Sequence, residues 1–176
     1  EDNPELCDAR IRLASAFLEM GEMDRARDHA MTAFEETEGQ MDIVHARARA
    51  VLGRYYARAK ENELAMQYYS GALDILSDQA DPHSAVEVAM LLGQVLSDAG
   101  RKEEAAEHYI DALVLAEAND FRMLQGELLA RLGEVESDRS QKMDYLQRSL
   151  SVFRELGAVD RMREVQTSVH RAVMGH

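Results

Sequence analysis

The chain has 176 residues, 46% apolar and 30% charged, with a net charge of −13. That apolar share excludes a disordered chain, and the acidic excess argues against general binding to nucleic acid or to an anionic membrane, both of which rest on Lys and Arg. A lone cysteine, Cys7, excludes an internal disulfide framework and fits a reducing compartment, so a cytoplasmic location is expected. No apolar stretch approaches the roughly 20 residues needed to span a bilayer, and no secretory leader pattern is present. The sequence opens on Glu1 instead of Met, as expected of an excised domain or a processed product.

Strong helix formers dominate, and strand patterns are nearly absent. Nine helices are predicted, over 4–20, 24–37, 41–60, 62–77, 82–98, 102–118, 121–137, 141–156 and 160–174. Gly21 and Gly100 mark corresponding turns. Asp81 before Pro82 reads as an N-cap followed by proline at the first helical position, with Ser84 and Glu87 as a competing capping box. Ser140 is expected to open the eighth helix, Gly157 to end it, and Asp160 to cap the ninth.

Three Leu-Gly pairs, Leu52-Gly53, Leu92-Gly93 and Leu132-Gly133, recur at forty-residue intervals inside helical segments. A fixed period of this size marks a stack of similar supersecondary units. Leu52-Gly53 is followed by Tyr56, Ala65, Tyr69 and Ala72. Leu92-Gly93 is followed by Leu96, Ala105, Tyr109 and Ala112. The same offsets in the first unit give Leu13, Ala14, Phe17, Ala26, Ala30 and Ala33. Glycine inside a helix costs about 1 kcal/mol relative to alanine, so it needs a packing reason. Here the expectation is close approach of the hairpin's second helix, with Ala65 and Ala105 facing Gly53 and Gly93, and Tyr56, Tyr69 and Tyr109 filling space between hairpins.

This spacing resembles the tetratricopeptide repeat family, whose signature is Leu-Gly-x-x-Tyr, then Ala-x-x-x-Phe/Tyr, then Ala. The resemblance covers nearly the whole chain. The period is longer than the usual value of about 34 residues. The usual Trp is missing, Glu136 stands where Tyr belongs in the fourth unit, and the turn that follows is shortened. The resemblance implies an all-α, right-handed superhelix of four hairpins (units 4–40, 41–80, 81–119 and 120–157) plus a capping helix over 158–176. In the last helix Met162, Val165, Val169, Ala172 and Val173 share one face, as a terminal cap requires.

No catalytic motif is present. The glycines sit at repeat positions, and none of His29, His45, His83, His108, His170 and His176 pairs with another at helical spacing. No enzyme activity, cofactor or metal is expected, and Glu103, Glu104 and Glu107 read as a solvated face. The third helix stands out because it carries Arg47, Arg49, Arg54, Arg58 and Lys60 against a single acid, Asp42. Arg47, Arg54 and Arg58 fall on one helical face.

The resemblance places that face, with Arg12 near it, in the concave groove, over an apolar floor including Ala50 and Met90. Arginine suits carboxylates because its planar fork binds them bidentately. Pairing with Glu19, Glu22, Glu87 or Asp98 is the competing, intramolecular expectation. Glu87, Gln94, Asp98, Glu127, Glu134 and Asp138 give the groove's other half an acidic character. The chaperone-tail clamp of the family uses Asn and Lys, whereas Asn3, Asn62 and Asn119 all lie at ends or turns.

The expected function is a non-enzymatic module binding a protein or peptide, possibly acidic, at Arg12, Arg47, Arg54, Arg58, Met90, Gln94 and Glu134. A sensing domain of a larger signalling or transcription protein and a self-association module are the alternatives. Nucleic acid and membrane partners are not expected.

Overall fold

The structure, a computed structural model, describes residues 4–39, 42–78 and 80–174. Met41, Asn3 and His176, which enter the sequence reading, lie outside them. Among the described residues there are nine helices and no strand. They are α1 (Pro4–Met20), α2 (Met23–Glu36), α3 (Ile43–Arg58), α4 (Asn62–Asp78), α5 (Pro82–Asp98), α6 (Lys102–Ala118), α7 (Arg122–Val135), α8 (Arg139–Glu155) and α9 (Val159–Met174). The boundaries lie within two residues of the predicted ones.

The turns explain why the helices stop where they do. After α1, the Glu22 N–H donates to the Phe17 carbonyl and the Gly21 N–H to that of Leu18. The same pair of bonds closes α3, α5, α6 and α8, through Glu61 and Lys60, Arg101 and Gly100, Phe121 and Asp120, and Ala158 and Gly157. This is the Schellman closure, which needs a left-handed residue just past the helix. Glycine fills that position at Gly21, Gly100 and Gly157, but Lys60, Ala80 and Asp120 adopt it with φ of 65°, 52° and 54°.

Side chains secure the opposite ends. Asp42 accepts from the His45 N–H at 2.9 Å, and Asp81 accepts from the Ser84 N–H at 3.2 Å, so the Asp81-Pro82 start prevails over the later capping box. The eighth helix opens one residue before Ser140, because Asp138 is its N-cap and accepts from the Gln141 N–H at 2.9 Å. Asp160 lies inside the first turn of α9 and pairs with Arg163 at 3.1 Å.

The chain forms two compact units, 1–95 and 96–176. In the first, α1 packs on α2, α3 on α4, and α3 also on α1 and α2. Its core joins Ile11, Ala14, Phe17 and Leu18 to Ala26, Ala30 and Ala33 and to Ala48, Val51 and Leu52. The close approach at Gly53 is real, but the residue facing it is Tyr69 instead of Ala65. A Cβ on Gly53 would stand 2.6 Å from the Tyr69 ring. Leu13, which shares the repeat position of the fully buried Leu52, is 46% exposed. Leu52 packs toward the preceding hairpin, and the described residues place none beside α1.

In the second unit α7 packs on α6 and α8, and α9 on α8. The shortened turn after α7 moves α8 by about three positions relative to the other hairpins. Gly133 therefore meets Leu146, at 2.7 Å from a built Cβ, where Gly53 meets Tyr69. Gly126 lies under the Phe153 ring, and the Ser149 hydroxyl donates to the Gly126 carbonyl at 2.7 Å. α9 buries Val165 against Leu146 and Phe153, with Met162, Val169 and Ala172 partly buried around it.

Two stability outcomes follow. Gly53→Ala forces a methyl into the Tyr69 ring and is expected to lower unfolding free energy by about 1–3 kcal/mol. Lys60→Gly and Ala80→Gly relieve left-handed strain and are expected to raise it by about 0.5–1 kcal/mol each, net of glycine's entropy. Chemical denaturation followed by circular dichroism checks both; the reverse order of midpoints contradicts the packing and turn assignments.

Candidate functional site

Within the first unit, α1, α3 and α5 enclose a cleft of about 450 Å³. Helical periodicity brings Ile11 and Ser15 of α1 and Ala46, Ala50 and Val51 of α3 to it, with Val88 and Leu91 from α5. Arg47 and Arg54 edge it on α3, and His83, Ser84 and Glu87 on α5. Ala50 is among the apolar residues that line the cleft. The α5 contribution comes from Val88 and Leu91; Met90 and Gln94 are half-buried on α5 and are not among the lining residues.

The arginines meet acids of α1. Arg47 Nη1 lies 3.3 Å from Asp8 Oδ1, while Arg12 Nε lies 2.7 Å from Asp8 Oδ2. Arg54 pairs with Glu19, and Arg58 Nη2 reaches the same Glu19 carboxylate at 3.2 Å. Arg58 also donates to the Leu18 carbonyl. Of the expected intramolecular partners, Glu19 is used; Glu22 pairs instead with Arg25 at 2.7 Å, and Glu87 lies 3.6 Å from His83. Four arginines thus share two carboxylates, leaving surplus positive charge along one face. Each pair is substantially exposed, so each contributes roughly 0–1 kcal/mol.

Glu134 belongs to the second unit. It lines two clefts there, of about 200 and 390 Å³, and lies 3.7 Å from Arg131. Glu127, also in the smaller cleft, pairs with Arg161 of α9 at 2.9 Å. The hydrogen bond from Arg161 to Glu164, followed by the charge of Glu127, raises the already high pKa of the guanidinium. The acidic character expected of this half is therefore offset by cations of α7 and α9.

A tetratricopeptide repeat profile matches residues 11–85 and 90–150. The chain belongs to the tetratricopeptide repeat family. No curated protein sequence matches it. Among solved structures it resembles a Signal Transduction ATPase with Numerous Domains protein with a tetratricopeptide repeat sensor from Pyrococcus horikoshii, at 18% identity and a TM-score of 0.84. That match covers 94% of this chain and 26% of the other. The apo form of RapI matches at 16% identity and a TM-score of 0.83, over 94% of this chain and 62% of RapI. A Rap protein complexed with competence and sporulation factor matches at 20% identity and a TM-score of 0.70, over 94% and 50%. These likenesses show the fold. The chain spans less than two thirds of each of these proteins. Among the described residues no helix is long and apolar enough to cross a membrane.

Inside the first unit the repeat scaffold also holds a polar cluster that the sequence reading did not pick out. His45 is buried, with Nδ1 2.9 Å from Thr37 Oγ1 and Nε2 accepting from Arg49 Nε at 3.1 Å. Thr37 Oγ1 in turn donates to the Ala33 carbonyl at 2.8 Å. With Nε2 accepting, the proton of the neutral ring sits on Nδ1 and is given to Thr37. Phe34 stacks on His45, and Gly71 leaves room for Arg49, whose Nη1 would stand 2.2 Å from an added Cβ. The i, i+4 spacing of His45 and Arg49 was visible in the sequence; Thr37 and Gly71 join them only through the fold.

Burial first, then the Arg49 charge, lowers the His45 pKa below its ordinary 6.5, against weaker opposing pulls from Asp42 and Glu38. The unfolded chain therefore takes up a proton more readily than the folded one. Stability from this group is complete above about pH 6.5 and declines as pH falls from there toward the folded-state pKa. The melting temperature is expected to drop more between about pH 7.5 and about pH 5.5 in the wild type than in His45→Gln. Equal drops in a calorimetric comparison contradict a neutral buried His45.

Proposed function

We propose that the chain is a non-enzymatic protein-interaction module that takes an acidic peptide segment along the first unit's cleft. The observation carrying this reading is the surplus of arginines over carboxylates at Arg12, Arg47, Arg54 and Arg58. Incoming carboxylates exchange with Asp8 and Glu19, losing weak exposed pairs and gaining equivalent ones. Apolar side chains of the peptide then cover Ile11, Ala50 and Leu91, and a preformed cleft loses little entropy on binding. The likeness to a Rap protein solved with competence and sporulation factor supports the binding of a partner molecule. The likeness to a protein with a tetratricopeptide repeat sensor supports a place within a larger signalling protein. Met90, Gln94 and Glu134 are secondary in this reading, since they stand outside the cleft.

Self-association is favoured by one separate observation. Leu6, Leu13 and Met20 are exposed at seven-residue spacing on α1, with exposed Ala9 and Ala16 between them. That is the spacing of a helix–helix seam, which a second copy of α1 answers.

Fluorescence anisotropy with a labelled Glu-rich peptide tests the first reading. Arg47→Glu/Arg54→Glu is expected to weaken binding at least roughly tenfold, and Glu19→Gln, which releases Arg54 and Arg58, to tighten it. Equal affinity for the Glu-rich peptide and its Gln counterpart removes this function. For the second reading, sedimentation should show a dimer that Leu13→Glu converts to monomer; a wild-type monomer at all concentrations dismisses it.

A further inference from the structure

The second residue set that departs from the repeat lies in the fourth hairpin. The fourth residue of each second helix is fully buried alanine in α2, α4 and α6: Ala26, Ala65 and Ala105. In α8 the fourth residue is Lys142. The position is the same structurally, because Gly133 of α7 faces this turn of α8, with the Lys142 carbonyl 3.5 Å from a built Cβ. A lysine here replaces a packing residue and sits in the first turn, against the helix dipole. Its stem must leave the α7–α8 seam, and it does so into the cleft of about 390 Å³ bounded by Gly133, Leu146, Ser168 and Arg171.

Three hydrogen-bond donors meet there without using their capacity on the protein. Among the described residues, no acid lies within ion-pair distance of Lys142 or Arg171, and no side-chain hydrogen bond engages the Ser168 hydroxyl. Glu134, the one acid lining the cleft, is next to Arg131, and the neighbouring Arg139 is occupied by the Val173 carbonyl at 2.9 Å. Local rules are broken where function compensates.

We infer that Lys142, Arg171 and Ser168 form an oxyanion site that takes a carboxylate or phosphate group of a ligand. The two cations supply charge and the hydroxyl supplies a directional donor. Apolar Leu146 and Ala172 form the adjacent wall. The site lies wholly in the second unit and does not depend on the arginine cleft of the first.

The test is titration of the full chain with inorganic phosphate, and separately with acetate, at ionic strength matched by sodium chloride. Amide NMR shifts and the melting temperature are the readouts. The wild type should show saturable shifts around 142, 168 and 171 and an anion-dependent rise in melting temperature. Lys142→Ala should melt higher than wild type without anion, because it restores the repeat's alanine. Lys142→Ala and the surface variant Arg171→Gln should each raise the dissociation constant at least roughly tenfold. A response to phosphate alone assigns the site to phosphorylated ligands, and a response to both extends it to carboxylates. Identical anion effects in all three proteins overturn the proposal. So does a lower melting temperature for Lys142→Ala, which makes the lysine a packing residue.

Discussion

The contact that governs the first unit is the Tyr69 ring lying on the bare backbone of Gly53. It sets how closely α4 approaches α3, and so which residues of α3 remain on the far side. With the second helix held this near, Ala46, Ala50, Arg47 and Arg54 are left facing α1 and α5, where they line the cleft. Burial raises the Tyr69 pKa well above its ordinary 10, so the ring stays neutral and packed. Tyr109, forty residues on in sequence, is likewise buried and is pushed up to about 12 by that burial. In the fourth hairpin Leu146 replaces the ring over Gly133, and α8 begins after a shorter turn. That substitution and the shift of register come together, since a smaller side chain permits a different seating of the helix.

Charge is distributed on a different logic from packing. The apolar positions repeat at close to forty residues, whereas most charged ones do not, Glu87 with Glu127 and Asp98 with Asp138 being exceptions. Each unit therefore presents its own electrostatic face on a shared frame. The first unit concentrates arginine on α3 against two acids of α1. The second alternates signs between α7 and α9 and leaves Lys142 and Arg171 uncommitted. A repeat frame tolerates this because surface charges contribute little to its stability, while the buried alanines, glycines and rings contribute most.

The helices were legible in the sequence because their period and their stop signals coincide. Gly21, Gly100 and Gly157 announce left-handed turns; Lys60, Ala80 and Asp120 do not, although they take the same conformation. The start of α8 was placed late because Ser140 is a good cap on its own, and only the structure shows Asp138 accepting the bond. The arginine face was visible as helical spacing. Of its partners, Glu19 stood among the expected acids but Asp8 did not, since it lies far away in sequence and reaches α3 only when α1 packs beside it. Leu13 reads as core by register, yet burial depends on a neighbouring hairpin that register alone does not supply. The oddity of Lys142 emerges only after the shortened turn has been aligned.

The two acids that hold the arginines both belong to α1. Asp8 near one end and Glu19 near the other, together with the Leu18 carbonyl, tether this helix to α3 at two points along its length. A carboxylate ligand that takes over the guanidinium groups would release both tethers at once. α1 would then be kept in place by the packing of Ile11, Ala14, Phe17 and Leu18 and by the Arg10–Glu36 pair to α2. Occupation of the cleft and attachment of the first helix thus draw on the same side chains. Recognition at this surface would be transmitted mechanically, as a loosening of α1.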